Sequence, residues 1–246
     1  MIKNTKNTFD LSFILNELLS VSDPVRLEGM KRYAIDTKKA IGVSLPDIRS
    51  IAKAINKNTS PSERHQLAKE LWESEMHEAR ILASMVDDPK QVTQKQMDSW
   101  TNEFYSWDLC DQVCSNLFQK TDFFVEQAMK YSRSKKEFVK RTGFTLIVQY
   151  AVHHKKAPDD VCITFLERIE EEAWDERNFV KKAVNWCLRQ IGKRNKHLHP
   201  LAVACAERIL KQDSSSARWI ASDALRELNS EGVIRRLGLR LAQAEE

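Results

Sequence analysis

Glycine and proline are scarce in this chain. Each occurs six times in 246 residues, about 5% together against a usual share of about 12%. With Lys, Glu, Ala and Leu prominent, that composition suits helices with wet outer faces. Long apolar runs are missing too. None approaches the roughly 18 residues that span a bilayer. The first residues, Met1 to Asn7, are polar and lack the apolar core of a signal peptide. A cytoplasmic protein with no membrane partner is expected. The cysteines are five, an odd number set inside helical patterns, and they build no disulfide framework. Cys110 and Cys114 are four apart among apolar neighbours, and two more metal ligands are not evident, so core cysteines are expected there. No iron–sulfur cysteine pattern and no Gly-rich phosphate loop is present. The expectation is no cofactor, no nucleotide and no metal.

Charge is present, and it is unevenly placed. The net formal charge is only +4. Residues 177–211, however, hold nine cations (Arg177, Lys181, Lys182, Arg189, Lys193, Arg194, Lys196, Arg208 and Lys211) against one acid, Glu207, a net +8. Residues 161–176 just before it carry Glu167, Glu170, Glu171, Glu172, Asp175 and Glu176 against Arg168, a net −5. A localised basic patch facing a polyanion is arranged in this way; a generally sticky cationic surface is not.

Helix-start signals recur along the chain. Asp23-Pro24 reads as an N-cap followed by Pro at the first helical position. Ser60-Pro61-Ser62-Glu63 adds a capping box. Thr93…Gln96 and Ser134…Glu137 repeat that logic, and Pro158 and Pro200 open further helices. About fourteen helices are expected, with short connections and no convincing strand. Three late helices resemble one another. Phe138-Val-Lys-Arg-Thr-Gly-Phe-Thr-Leu-Ile is followed by Phe179-Val-Lys-Lys-Ala-Val-Asn-Trp-Cys-Leu-Arg, and a looser copy begins at Ala217-Arg-Trp-Ile. Periods near 40 with two helices per unit mark HEAT-like arrays. The expected fold is therefore all-α, one domain over residues 1–246. Its helix pairs stack as a right-handed superhelical solenoid with a concave basic face.

Helical phasing sorts the faces. Between about Asp175 and Lys193, Val180, Val184, Cys187, Leu188 and Ile191 fall in one arc, the core stripe. Lys182, Trp186, Arg189 and Lys193 fall in a second arc nearly opposite. Trp186 thus sits among cations. It either packs on a neighbouring repeat under Lys and Arg stems or lies on a sugar whose flanking phosphates the cations hold. Between about Lys135 and Ala151, Val139, Gly143, Leu146, Ile147 and Tyr150 form the core arc, and Arg141 points away beside Thr145. In the repeat, Arg141 matches Lys182. From Trp107 to Phe118 the apolar arc is Leu109, Cys110, Val113, Cys114 and Leu117, with Trp107 and Asp111 together at its edge. Asp108 offsets the helix dipole from the first turn. Asp111 lies a turn further in, where that explanation is weaker.

Trp107-Asp-Leu-Cys-Asp111, Phe138-Val-Lys-Arg141 and Phe179-Val-Lys-Lys-Ala-Val-Asn-Trp186-Cys-Leu-Arg189 resemble, in order, the motifs of the AlkD-like DNA alkylation repair family of HEAT-like repeat alkylpurine DNA glycosylases. The resemblance runs from about Lys31, through Ile41-Gly-Val-Ser-Leu-Pro-Asp-Ile-Arg49 and Leu71-Trp72, to about Asn195. It implies a DNA-3-methyladenine/7-methylguanine-type glycosylase. Such an enzyme hydrolyses the N-glycosidic bond of cationic N3- or N7-alkylated purines in duplex DNA without a base-flipping pocket, and acts as a monomer. Asp111 matches the catalytic carboxylate, Trp107 and Trp186 the aromatics that cradle the lesion's deoxyribose, and Arg141 and Arg189 the DNA-backbone contacts. Lys182 and Lys193 join the DNA-binding set from the stripe itself. Two other readings stand beside this one: a non-catalytic HEAT-repeat DNA-binding protein, and a protein-interaction scaffold.

Overall fold

A computed structural model describes residues 9–239. Fourteen α-helices and one short 3-10 turn make up its regular structure, and the described residues contain no strand. The backbone falls into two compact units that divide between Thr121 and Asp122.

The first unit carries α1 (Leu11–Ser20), α2 (Pro24–Arg32), α3 (Leu45–Asn58), α4 (Pro61–Glu73), α5 (His77–Val86), α6 (Gln94–Asn102) and α7 (Trp107–Asn116), then the 3-10 turn Phe118–Lys120. Its starts follow the local chemistry of the sequence. Asp23 accepts from the Val25 amide ahead of Pro24, and Ser60 and Glu63 close a reciprocal capping box. Thr93 accepts from the Gln96 amide, but the Gln96 side chain donates to Asp87 instead of reaching back. Helices α3, α5 and α7 pack in sequence as one row, and α4 packs on α5. Trp72 of α4 stacks on Trp100 of α6, with centroids 4.0 Å apart and planes 2° apart. Arg80 covers Trp72 and pairs with Glu103, which also accepts from the indole N–H. Both indoles are buried, and the stack adds about 1 kcal/mol beyond their area.

The second unit carries α8 (Phe124–Tyr131), α9 (Glu137–His153), α10 (Asp159–Glu172), α11 (Asn178–Gly192), α12 (Leu198–Leu210), α13 (Ser215–Leu228) and α14 (Glu231–Leu237). Helices α9, α11 and α13 form one row and α10 and α12 a second, with α11 and α13 packed on α12. The row α9–α11–α13 is the set of three similar segments. Phe138 and Phe179, at matching positions, meet with ring centroids 5.5 Å apart, which fixes the repeat register.

Helix α9 departs from its expected face pattern. Every residue from Val139 to Ala151 is buried, Arg141 and Thr145 included. The arc opposite the core does not meet water because α9 is covered on every side, as α8 shows. A Cβ at Gly143 would lie 2.3 Å from the Ser132 amide nitrogen, so only glycine lets the two backbones approach so closely. The expected Ser134…Glu137 cap is also absent. Lys136 is the N-cap of α9 and gives no side-chain capping bond, and Ser134 accepts from the Lys136 amide outside the helix.

Candidate nucleic-acid and active-site residues

In the first unit, Trp107 and Asp111 occupy successive turns of α7 and are both partly exposed. The Trp107 indole N–H donates to the Tyr33 carbonyl at 2.9 Å. Both residues line a pocket of about 670 Å³, with apolar walls that include Val25, Met30, Val43, Leu45, Ile48 and Ile81. Its carboxylates are Asp23, Glu78, Asp108 and Asp111. The sequence showed no acid-lined pocket. The reason is that its walls come from α2, the start of α3 and the loop before it, α5 and α7, which are far apart in the chain.

The pocket floor is a buried polar network. Glu78, 1% exposed, accepts from the amides of Ile41 (3.1 and 3.0 Å), Gly42 (2.8 Å) and Val43 (3.3 Å) and so holds the loop ahead of α3. His77, also 1% exposed, places Nε2 2.8 Å from Asp108 Oδ2 and Nδ1 3.0 Å from the Tyr105 hydroxyl. Ser106, the N-cap of α7, directs its hydroxyl to the other Asp108 oxygen and leaves the helix without a side-chain cap. Asp108 therefore does more than offset a dipole: it ties the start of α7 to α5, one turn before Asp111. Neither His77 nor Glu78 was singled out from sequence. They sit in the first turn of a largely apolar helix, and nothing local marks their partners.

Burial opposes a charge on His77, yet the hydrogen bond and charge of Asp108, with the fields of Glu78 and Asp36, raise its pKa above the ordinary histidine value. Burial likewise opposes charge on Asp108, and His77 and Ser106 more than offset it, so its pKa is lowered. Burial pushes the Tyr105 phenol well up. The raised His77 value stabilises the fold fully below an unfolded pKa of about 6.5, and that gain is lost as pH rises through the folded value. The depressed Asp108 value stabilises above about 3.9, and that gain is lost as pH falls through its folded value. Thermal unfolding is therefore expected to show greatest stability from this pair between about pH 4 and 6.5. The pair's contribution falls on the alkaline side, and His77→Gln removes that fall. A wild-type and variant difference that does not shrink as pH rises above about 6.5 would dismiss the charged pair.

In the second unit, the second face of α11 is as phased. Val180, Val184, Cys187, Leu188 and Ile191 are fully buried, and Trp186 is only partly so. With its amide oxygen turned toward the donors, Gln190 accepts from Trp186 Nε1 at 3.2 Å and from Lys193 Nζ at 3.3 Å. Lys182 is exposed. The other two cations of the stripe are less available than their phasing implies. Glu227 pairs with both Arg189 and Lys193, and Asp223 lies 3.7 Å from Arg189 Nε. Burial would raise the Glu227 pKa, but Lys193 and Arg189 hold it below the ordinary carboxylate value.

Arg141 is buried, 6% exposed, and donates to the Phe179 carbonyl at 2.8 Å. It does not share the exposure of Lys182, its repeat equivalent. The wider +8 segment is similarly offset. Arg177 pairs with Asp175, Arg208 with Glu170, and Arg194 with Asp159. The acidic segment before it supplies Asp175 and Glu170, and it clamps Lys140 between Glu172 and Asp175. Asp175, opposed by burial but held by Arg177 and Lys140, has its pKa lowered to about 2. Local charge counting overstated the patch because, Asp175 beside Arg177 apart, the neutralising Asp159, Glu170 and Glu227 arrive from neighbouring helices 34 to 38 residues away, close to the repeat spacing. The described residues contain no cluster of His, Cys, Asp and Glu able to hold a metal ion. All five cysteines are buried and unbridged. No described helix is long and apolar enough to cross a membrane.

Comparison with known proteins places this geometry. An uncharacterised protein, Lin0241 of Listeria innocua serovar 6a, is 22% identical over 197 residues, 79% of this chain and 84% of the relative. The uncharacterised protein Lmo0209 of Listeria monocytogenes serovar 1/2a is 21% identical with the same coverage. Among solved structures, one represents a new family of proteins related to the HEAT-like repeat DNA glycosylases with affinity for branched DNA structures. It matches with a TM-score of 0.73 at 20% identity, covering 94% of this chain and 97% of that one. That likeness shows the HEAT-like repeat fold expected from the three similar helices. The family model for DNA alkylation repair enzymes matches residues 14–229, and the chain belongs to that family.

Proposed function

We propose that the chain is a DNA glycosylase that hydrolyses the N-glycosidic bond of cationic N3- or N7-alkylated purines in duplex DNA. The carrying observation is Asp111 in the wall of the apolar pocket, one turn from Trp107 on a helix start pinned by His77 and Asp108. Loss of an alkylated purine leaves positive charge on the deoxyribose. A fixed carboxylate in apolar surroundings stabilises that charge and orients the attacking water. The base is already cationic and leaves with little need of a proton donor, so Asp111 serves as charge and water-positioner, with Trp107 packing on the sugar.

In the same reading the second unit supplies DNA binding through Lys182, Trp186, Arg189 and Lys193. Arg141 orders the backbone at Phe179, the first turn of α11, and so positions that stripe. The reading is tested by release of N7-methylguanine from methylated duplex DNA. Binding without release would leave a DNA-binding member of the family with no glycosylase activity. No binding at physiological salt would favour a protein-interaction scaffold.

The grip has its own signature. Lys182→Ala is expected to lower the slope of log affinity against log salt by about 0.9, the share of one phosphate contact. Glu227→Gln frees Arg189 and Lys193 from their acid and is expected to steepen the slope. A salt titration of duplex binding reads both, and unchanged slopes would remove the stripe from the interface.

A further inference from the structure

Two tryptophans of the second unit stand out in water: Trp174, 57% exposed, and Trp219, 42% exposed. Their surroundings differ. Trp174 shares a pocket with Glu167, Glu170 and Glu171, and Lys140 over its ring is held by Glu172 and Asp175. Those carboxylates repel a phosphate-bearing ligand; Trp174 also lines a second cavity with Arg133, Lys135 and Arg177, where Glu172, Asp175, Glu176 and Asp213 face the cations. Trp219 has Lys181 Nζ 5.2 Å from its ring centroid, and its chain neighbour Arg218 reaches Asp213 only at 3.5 Å on an open surface.

Trp219 also belongs to a ladder between two helices. Lys181, Asn185, Arg189 and Lys193, on successive turns of α11, meet Trp219, Asp223 and Glu227, on successive turns of α13. Of the lower rungs, the Asn185 amide donates to Asp223, and Arg189 and Lys193 are offset by Glu227. The top rung ends in an indole with a cation on it, and Lys182, the chain neighbour of that cation, is exposed. Paired bases bury their faces in the duplex stack and offer proteins phosphates and base edges. An exposed indole face is matched by a base that has left the stack, and flanking lysines by its phosphates.

Resting on the DNA-binding reading above, we propose that Trp219, with Lys181, Lys182 and Arg218, is a stacking site for an unpaired base. It lies on α13, the helix that follows α11 in the row, and recognises single-stranded segments adjoining a duplex. This contact is distinct from the lesion chemistry and needs no alkylated base.

The test compares full-length protein on two unmodified probes, a blunt duplex and the same duplex carrying a single-stranded extension. Wild type is expected to prefer the extended probe. Trp219→Ala is expected to weaken binding to it about tenfold while leaving the blunt duplex unchanged, and Trp219→Phe to retain most of the preference. Trp174→Ala leaves both affinities as in wild type. Both rings are exposed, so unchanged thermal unfolding of the variants shows that the fold persists. Equal loss on both probes, or no loss on either, overturns the stacking site while DNA binding stands. Absence of wild-type binding to either probe overturns the DNA-binding reading and this site with it.

Discussion

Asp111→Asn is expected to release N7-methylguanine from methylated duplex DNA about 10²–10³-fold more slowly than wild type, with duplex affinity unchanged or raised. The substitution keeps the shape of the pocket wall and removes one negative charge. Lost rate therefore reports charge stabilisation of the sugar and orientation of water. Affinity moves the other way, because a carboxylate facing a phosphate-bearing ligand opposes binding. A single-turnover assay with saturating enzyme separates the two. Equal release by both proteins would end the catalytic role of Asp111. The parallel variant His77→Gln acts through position alone. It releases the first turn of α7 from α5, and the loss should be partial and shared between rate and stability, since His77 touches Asp108 and not Asp111.

Much of this arrangement was legible in the chain, for reasons particular residues make plain. Phasing of α11 separated Val180, Val184, Cys187, Leu188 and Ile191 from Lys182 and Trp186 because that helix has one wet face. The same method failed on α9, whose surface from Val139 to Ala151 is enclosed. A helix buried on all sides has no polar arc to find, and Arg141 reads as outward only if water is assumed there. Repeat matching put Arg141 and Lys182 at equivalent positions, which holds for backbone register but not for burial. Capping was read well where one side chain and one amide decide it, as at Asp23 and Ser60. It was missed at Ser134, where the hydroxyl serves the turn before the helix. The pocket around Asp111 was least visible. Its walls and the His77–Asp108 and Glu78 networks join residues about 30–40 positions apart, and each partner alone is an ordinary polar residue in a first turn or a loop.

The charge pattern changed most in meaning, and Arg194 shows why. It belongs to the +8 segment, yet its side chain is 2% exposed. Nη1 donates to the carbonyls of Tyr150 and Ala151 at 3.1 and 3.2 Å, and Nη2 to those of His154 and Ala157 at 2.9 and 2.8 Å. Nε reaches Asp159 at 3.2 Å, and the guanidinium lies 5.6 Å from the Tyr150 centroid. One planar fork thus satisfies the last carbonyls of α9, the loop after it and the first turn of α10, where Pro158 provides no side-chain cap. Arg194→Ala takes one donor from each of those carbonyls, of which Tyr150, Ala151 and His154 keep a second in the His154 amide, Lys155 Nζ and the Ala157 amide, and it takes the cation from Asp159. The expected cost is roughly 3–5 kcal/mol, the usual penalty for breaking a buried charge network from one side. At about 2–4 °C per kcal/mol for a chain of this size, the unfolding midpoint should fall by roughly 10 °C. Arg194→Lys recovers part of that, since an ammonium offers three donors but not the fork. A buried cation makes no phosphate contact, so at temperatures where Arg194→Ala is folded its salt slope for DNA binding should equal that of wild type. A midpoint within about 1 °C of wild type, or a slope lowered as in Lys182→Ala, would return Arg194 to the binding surface that its place in the sequence suggests.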